Sequence, residues 1–195
     1  TSLEKRKLSF IYDNALINTN ILQYVATNLV HHFVYPSCST VYQSSLNPVC
    51  EDDFDANQPF SKPYRGSANV KSYVEGLCKV YSELLETRFS VVRHSNLYGP
   101  YDKYFLSESH VCASLISKAF AANDNSTLEI WGDGKLQRDL LYVEDFCKAL
   151  RCLVKQQPSS YDIFNIGSGK LVSINELAAI VSDCCGKNLK IINKP

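Results

Sequence analysis

Stretches of apolar residues at helical spacing alternate along the chain with short continuous apolar runs. Residues 14–30 carry Ile17, Ile21, Tyr24, Val25 and Leu29 at helical spacing and lead straight into a strand-like Phe33-Val34-Tyr35. Ser37, Cys38, Ser39 and Thr40, all small hydroxyls or thiols, stand where that strand would end. Residues 43–63 are polar, hold three prolines and the acidic run Glu51-Asp52-Asp53, and predict a long surface loop of the kind that is uncommon unless functional. The cleanest helical pattern follows in residues 67–87, with Val70, Tyr73, Val74, Leu77, Tyr81, Leu84 and Leu85 on one face.

The stretch 88–100 follows. Phe89 to Val92 read as a buried strand, and the polar residues after them end at Gly99-Pro100, which a strand interior would not tolerate. In open α/β sheets ligands sit beyond such carboxyl ends, which makes Arg93, His94, Asn96 and Tyr98 candidates to face a ligand. The competing reading is an ordinary strand and turn. A polar and aromatic loop at 101–108 precedes Ser109, which is placed to cap a helix over 110–122 whose first free amides would suit a phosphate. Residues 128–131 predict a short strand closed by Gly132-Asp133-Gly134, and Gln137-Arg138-Asp139 lead into a helix with Val143, Phe146, Leu150 and Leu153 on one face. Residues 162–165 predict a strand, Ser173 and Glu176 a capping box for a helix through Cys185, and 189–192 a last strand. Such alternation predicts an α/β protein with a parallel sheet and some elements set aside as a lobe.

Composition narrows the partners. With 195 residues, 45% of them hydrophobic, the chain can bury one good core or one core plus a small lobe. Twenty basic residues balance twenty acidic ones, so no net field draws nucleic acid or an anionic membrane. The eight cysteines show no zinc spacing, so no metal is expected, and they read as free thiols acting as small buried hydrophobes in a reducing compartment. No apolar run approaches the ~20 residues that span a bilayer, and the default expectation is a cytoplasmic protein. The chain begins at Thr1 and contains no Met, which suggests a fragment or processed piece.

Four motifs then coincide. Ser95-Asn-Leu-Tyr-Gly-Pro-Tyr-Asp-Lys103, Ser109-His-Val111, Trp131-Gly-Asp-Gly134 with Arg138-Asp-Leu-Leu-Tyr-Val-Glu-Asp145, and Phe164-Asn-Ile-Gly-Ser-Gly169, in this order and spacing, resemble the NAD-dependent epimerase/dehydratase family of extended short-chain dehydrogenases, nearest to its GDP-L-fucose synthase-like members. The resemblance implies a partial Rossmann-like parallel sheet with a small C-terminal substrate-binding lobe. Residues 1–100, with 140–168 returning to them, would be the C-terminal part of the NAD(P)-binding domain, and 101–139 with 169–195 the lobe. It implies NAD or NADP as cofactor, a nucleoside-diphosphate sugar as partner, and a possible homodimer through the helices around Asn18 and Val74. It further implies hydride transfer at a sugar carbon, with a lysine-assisted tyrosinate and a Ser or Thr moving the hydroxyl proton. By the same resemblance Lys71 falls at the catalytic and ribose-binding lysine, Cys38 at the Ser/Thr position and His94 beside the nicotinamide. Asn96 and Val111 fall at substrate positions, and Arg138 at an arginine whose guanidinium fork grips the pyrophosphate.

Three departures from the family pattern bear on function. The glycine-rich fingerprint of strand, Gly-x-x-Gly-x-x-Gly and helix is not in these residues, so the first half of the dinucleotide fold is expected to be missing. Ser67 occupies the catalytic tyrosine position four before Lys71, where Tyr64 or Tyr73 would substitute only in a shifted register. Thr40 and Tyr101 stand where fucose synthases place an epimerising cysteine and histidine. Two functions follow as expectations: a nucleotide-sugar epimerase, dehydratase or reductase, or an inactive relative that binds a sugar nucleotide or serves as a structural subunit.

Overall fold

A computed structural model describes residues 2–43, 45, 47–104 and 109–195, with side chains from residue 8 onward. The chain divides into two compact units, residues 1–94 with 149–166 and residues 95–148 with 167–195.

The first unit contains α1 (Ser2–Thr27), β1 (His32–Cys38), α2 (Arg65–Leu84), β2 (Arg88–His94) and β6 (Tyr161–Ile166). Its sheet is parallel throughout, in the order β1-β2-β6. β2 is central, and Phe89 to Arg93 are all buried, so its sequence shows a continuous run rather than alternation. β1 pairs on one side alone among the described residues, and Pro36, which has no N–H to donate, is exposed there. Leu22 and Val25 of α1, Val70, Val74 and Cys78 of α2, and Tyr35, Phe89 and Val91 of the sheet form the core. Phe89 is fully buried, with the rings of Phe33 and Tyr81 at 5.6 and 6.4 Å. The long connection after β1, of which residues 44 and 46 lie outside the described residues, is bound to the sheet at β6. The Asn165 N–H donates to Glu51 Oε1 at 2.6 Å, and the Tyr42 hydroxyl donates to Asn165 Oδ1 at 2.7 Å.

The second unit contains β3 (Asn96–Tyr98), α3 (Val111–Ala121), β4 (Thr127–Trp131), β5 (Gln137–Tyr142), β7 (Leu171–Ser173), α5 (Ile174–Cys184) and β8 (Lys190–Lys194); α4 (Val143–Gln156) begins in this unit and ends in the first. β5 runs parallel to β3 and antiparallel to β7, and β4 pairs with β8 in parallel. β4 alternates, with Leu128 and Ile130 turned into a core that also holds Cys112, Leu115 and Ala119 of α3 and Leu177, Ala178 and Val181 of α5. The expected capping box is present, with Glu176 N–H donating to Ser173 Oγ and Ser173 N–H to Glu176 Oε2.

Several expectations need correcting. α1 begins at Ser2, well before residue 14, because the Glu-, Lys- and Leu-containing segment ahead of it favours helix. α3 is capped at His110 rather than Ser109, with no side-chain cap bond. Residues 137–139 are not a helix approach but half of β5, and β3 and β7 were not anticipated: three-residue strands are too short to show a period. All eight cysteines are free thiols, yet Cys50, Cys147, Cys152 and Cys184 are exposed, and the buried-hydrophobe reading holds for Cys78 and Cys112. The loop at 101–108 is described only to Tyr104; residues 105–108 lie outside the described residues.

Candidate functional site

In the first unit the candidate residues gather at the carboxyl ends of β1 and β2 and on the facing side of α2. Cys38 and His94 are neighbours in the β1–β2 register, both half-buried, and Cys38 Sγ lies 2.7 Å from Thr40 Oγ1. Lys71 Nζ donates to the Pro36 carbonyl at 3.0 Å and stands 5.6 Å from the Tyr35 ring centroid. Ser67 and Lys71 open onto one cavity of about 330 Å³ with Tyr35 and Pro36 of β1 and Asn14 and Asn18 of α1. Cys38 is not among the residues lining this cavity, which holds Ser67 and Lys71 without it.

Chemically this cavity has a cation and no ready phenolate. The Ser67 hydroxyl donates to the Tyr64 carbonyl at 3.0 Å. Tyr64 and Tyr73 are exposed and do not line the cavity. The phenol that does, Tyr35, has its pKa pushed up by burial and by the charge of Glu75, which disfavours the anion further.

Arg93 does not face a ligand as expected. It is 2% exposed and its Nη2 lies 2.7 Å from Glu75 Oε2. The guanidinium also donates to the Tyr42 hydroxyl at 2.9 Å and the Glu51 carbonyl at 3.0 Å, so it binds α2 and the long loop to the sheet. Burial works against its charge, but the Glu75 carboxylate and Tyr42 outweigh that and hold its pKa above the ordinary value. Sequence reasoning missed Glu75. The available signal was a carboxylate between Val74 and Cys78 on the apolar stripe of a helix, a position that demands a partner.

In the second unit Asn96 and Arg138 stand on adjacent strands. Asn96 is paired in register with Leu140, and the two-residue period of a strand puts Arg138 on the same face of β5 as Leu140. Asn96 is exposed and its Nδ2 donates to the Asp139 carbonyl at 3.1 Å. Arg138 is half-buried; its Nη1 donates to the Gln137 carbonyl at 3.0 Å, and no carboxylate pairs with it among the described ion pairs. Neither Asp139 nor Glu144 forms a salt bridge with Arg138. Val111 is the first residue of α3 and packs, half-buried, on the core of this unit. Among the described residues there is no cluster of His, Cys, Asp and Glu able to hold a metal ion, and no helix is long and apolar enough to cross a membrane.

Comparison with known proteins gives a consistent result. The model of a family described as the NAD dependent epimerase/dehydratase family matches residues 3–167. GDP-L-fucose synthase of Sinorhizobium fredii (strain NBRC 101917 / NGR234) is 34% identical over 179 residues, which cover 91% of this chain and 57% of that protein. The dTDP-4-dehydro-6-deoxy-D-allose reductase of a Streptomyces sp is 30% identical over 188 residues, covering 96% of this chain and 56% of that protein. The chain thus spans a little over half the length of these curated relatives. Among solved structures, a GDP-L-fucose synthetase from Naegleria fowleri bound to NADP shares the fold with a TM-score of 0.85 at 22% identity, over 96% of this chain and 58% of that one.

Proposed function

The chain belongs to the NAD-dependent epimerase/dehydratase family, and from that premise we propose that it serves an NAD(P)-dependent nucleotide-sugar epimerase, dehydratase or reductase by binding the sugar nucleotide through its second unit. The observation that carries this reading is the common face of Asn96 and Arg138 on neighbouring strands, an amide and a guanidinium that has no carboxylate partner among the described residues. A planar guanidinium matches paired phosphate oxygens, and the amide can orient a sugar hydroxyl.

The fit to NAD(P) is partial. Lys71 retains ammonium hydrogens beyond the one given to Pro36 and faces an open cavity, which suits the hydroxyls of the nicotinamide ribose; His94 and Cys38 stand at the adjoining strand ends. The pyrophosphate has no matching cradle in these residues, since no glycine-rich turn leads from a strand into a helix and the Ser168 and Gly169 N–H groups are taken by Asp139. The coenzyme supplies hydride transfer when bound. Lys71 lowers the cost of an oxyanion near its ammonium, but Ser67 offers no phenolate, and this favours a second reading in which the chain binds the sugar nucleotide without the chemistry. Homodimerisation through α1 and α2 accords with either reading: Tyr24, Tyr73 and Val80 are 62%, 53% and 49% exposed, whereas Val74 is buried and takes no part.

Thermal unfolding with GDP-mannose, UDP-glucose and dTDP-glucose tests the proposal. At least one should raise Tm, as ligands of the folded state do, and Arg138→Ala should diminish the rise at the same ligand concentration. No rise with any of the three would refute it. NADPH fluorescence separates the two readings, with enhancement on binding expected for the enzyme and none for the binder, and sedimentation velocity reads the dimer.

A further inference from the structure

Asp139 lies between Arg138 and Leu140 on β5, so its side chain points to the opposite face of the sheet. There its carboxylate gathers two segments, the residue before β3 and the 168–169 turn. Oδ1 accepts from Ser95 Oγ at 2.8 Å, from the Ser168 N–H at 2.9 Å and from Ser168 Oγ at 3.0 Å, and Oδ2 accepts from the Gly169 N–H at 2.9 Å. Gly167 makes this approach possible, because a Cβ there would fall 2.8 Å from Asp139 Oδ2. Burial works against the charge, but these hydrogen bonds outweigh it and hold the Asp139 pKa below the ordinary carboxylate value. The residues it grips are adjacent to the candidate site: Ser95 precedes Asn96, and the main-chain oxygen of Asp139 receives the Asn96 amide.

We propose that Asp139 is a positioning residue for sugar-nucleotide binding, fastening the strands that carry Asn96 and Arg138 to the 167–169 turn from behind, so that amide and guanidinium keep a fixed separation. The proposal rests on the reading of Asn96 and Arg138 given above. Its basis is geometric. A carboxylate has lone pairs for all four donors, whereas an asparagine turns an N–H₂ toward one side of the same set and leaves donor facing donor. Substitution therefore loosens the support beneath Arg138 without removing any group that would touch the ligand.

The test is a double-mutant cycle read as dissociation constants for GDP-mannose, UDP-glucose and dTDP-glucose, measured below the unfolding temperature of every variant. Asp139→Asn should weaken the probe that binds by about tenfold, the scale on which a misplaced binding group loses its contact. In an Arg138→Ala background the same substitution should cost nothing further, since its effect passes through Arg138; lost stability alone would not produce that coupling. If Arg138→Ala weakens binding but Asp139→Asn leaves it at the wild-type value, or if the two losses simply add, the positioning role is wrong while the site reading stands. Absence of binding by the unaltered protein overturns the site reading, and the positioning role with it. Should Asp139→Asn fail to fold, Ser95→Ala, which removes one of the four bonds, decides the matter: a loss of about threefold that vanishes without Arg138 supports the role, and unchanged affinity refutes it.

Discussion

Replacing Glu75 by Gln measures how far the first unit depends on charge in its interior. The Arg93 and Glu75 side chains are 1% and 5% exposed, joined at 2.7 Å, with Arg93 Nε adding contacts of 3.3 and 3.2 Å to the two carboxylate oxygens. Neutralising one member of such a pair strands the other without water, and costs about 3–5 kcal/mol. Gln retains an oxygen for the guanidinium and for the Ser37 hydroxyl, which bonds Glu75 in the native protein. Arg93 also retains the Tyr42 hydroxyl, the Glu51 carbonyl, and the faces of Tyr42 and Phe54 at 4.9 and 4.8 Å from its central carbon. The expected loss therefore falls at the lower end, about 3 kcal/mol. Urea unfolding followed by far-UV circular dichroism should show a midpoint lowered by about 1.5 M for a slope of about 2 kcal/mol/M. Hydrogen exchange should place the loosening in β1, β2 and α2. The double variant Glu75→Leu with Arg93→Met should recover part of the loss, because removing both charges ends the desolvation cost while leaving Ser37 short of an acceptor. A loss below about 1 kcal/mol for Glu75→Gln, the value of solvent-exposed pairs, would show that water reaches the guanidinium and refute the reasoning.

Two further perturbations probe each unit separately. Ser90 gives its proton to Gln157 Oε1, so His32 Nε2, 2.6 Å from Ser90 Oγ, must be the donor in that contact; burial, and next the Arg88 charge, hold the His32 pKa below its ordinary 6.5. The unfolded chain therefore takes up a proton before the folded one, and stability should fall as pH drops below about 6.5, continuing until His32 titrates in the folded state; urea midpoints should lose this slope in His32→Asn, and an unchanged slope would assign it elsewhere. In the second unit Gly134 has φ +68°, and a Cβ there would fall 2.0 Å from Asn175 Oδ1. Gly134→Ala should cost about 2 kcal/mol or more in urea unfolding, and a neutral result would mean that the turn leaves this conformation freely.

Arg93 and Arg138 show why part of this molecule was legible in the sequence and part was not. The helices could be read because their apolar positions repeat over several turns, and β2 because a buried central strand is apolar on both faces. β3, β5 and β7 could not: β3 and β7 are three residues each, too short to show a period, and β5 opens on the polar run Gln137-Arg138-Asp139, so their pairing is fixed by register with distant segments. The same locality limits the site. Both arginines follow or interrupt a strand-like run, and both look equally available to a ligand. Arg93 is instead committed to Glu75 on α2, and the signal lay in the helix stripe rather than beside the arginine. Arg138 does not pair with Asp139, its immediate neighbour, because that carboxylate is drawn to the opposite face by Ser95, Ser168 and Gly169. Arg138 and Asp139 are adjacent opposite charges, but strand alternation separates them and gives the carboxylate four other donors. In this chain the strand period, more than the identity of the two residues, decides that Asp139 is bound into the fold while Arg138 faces the other side of the sheet.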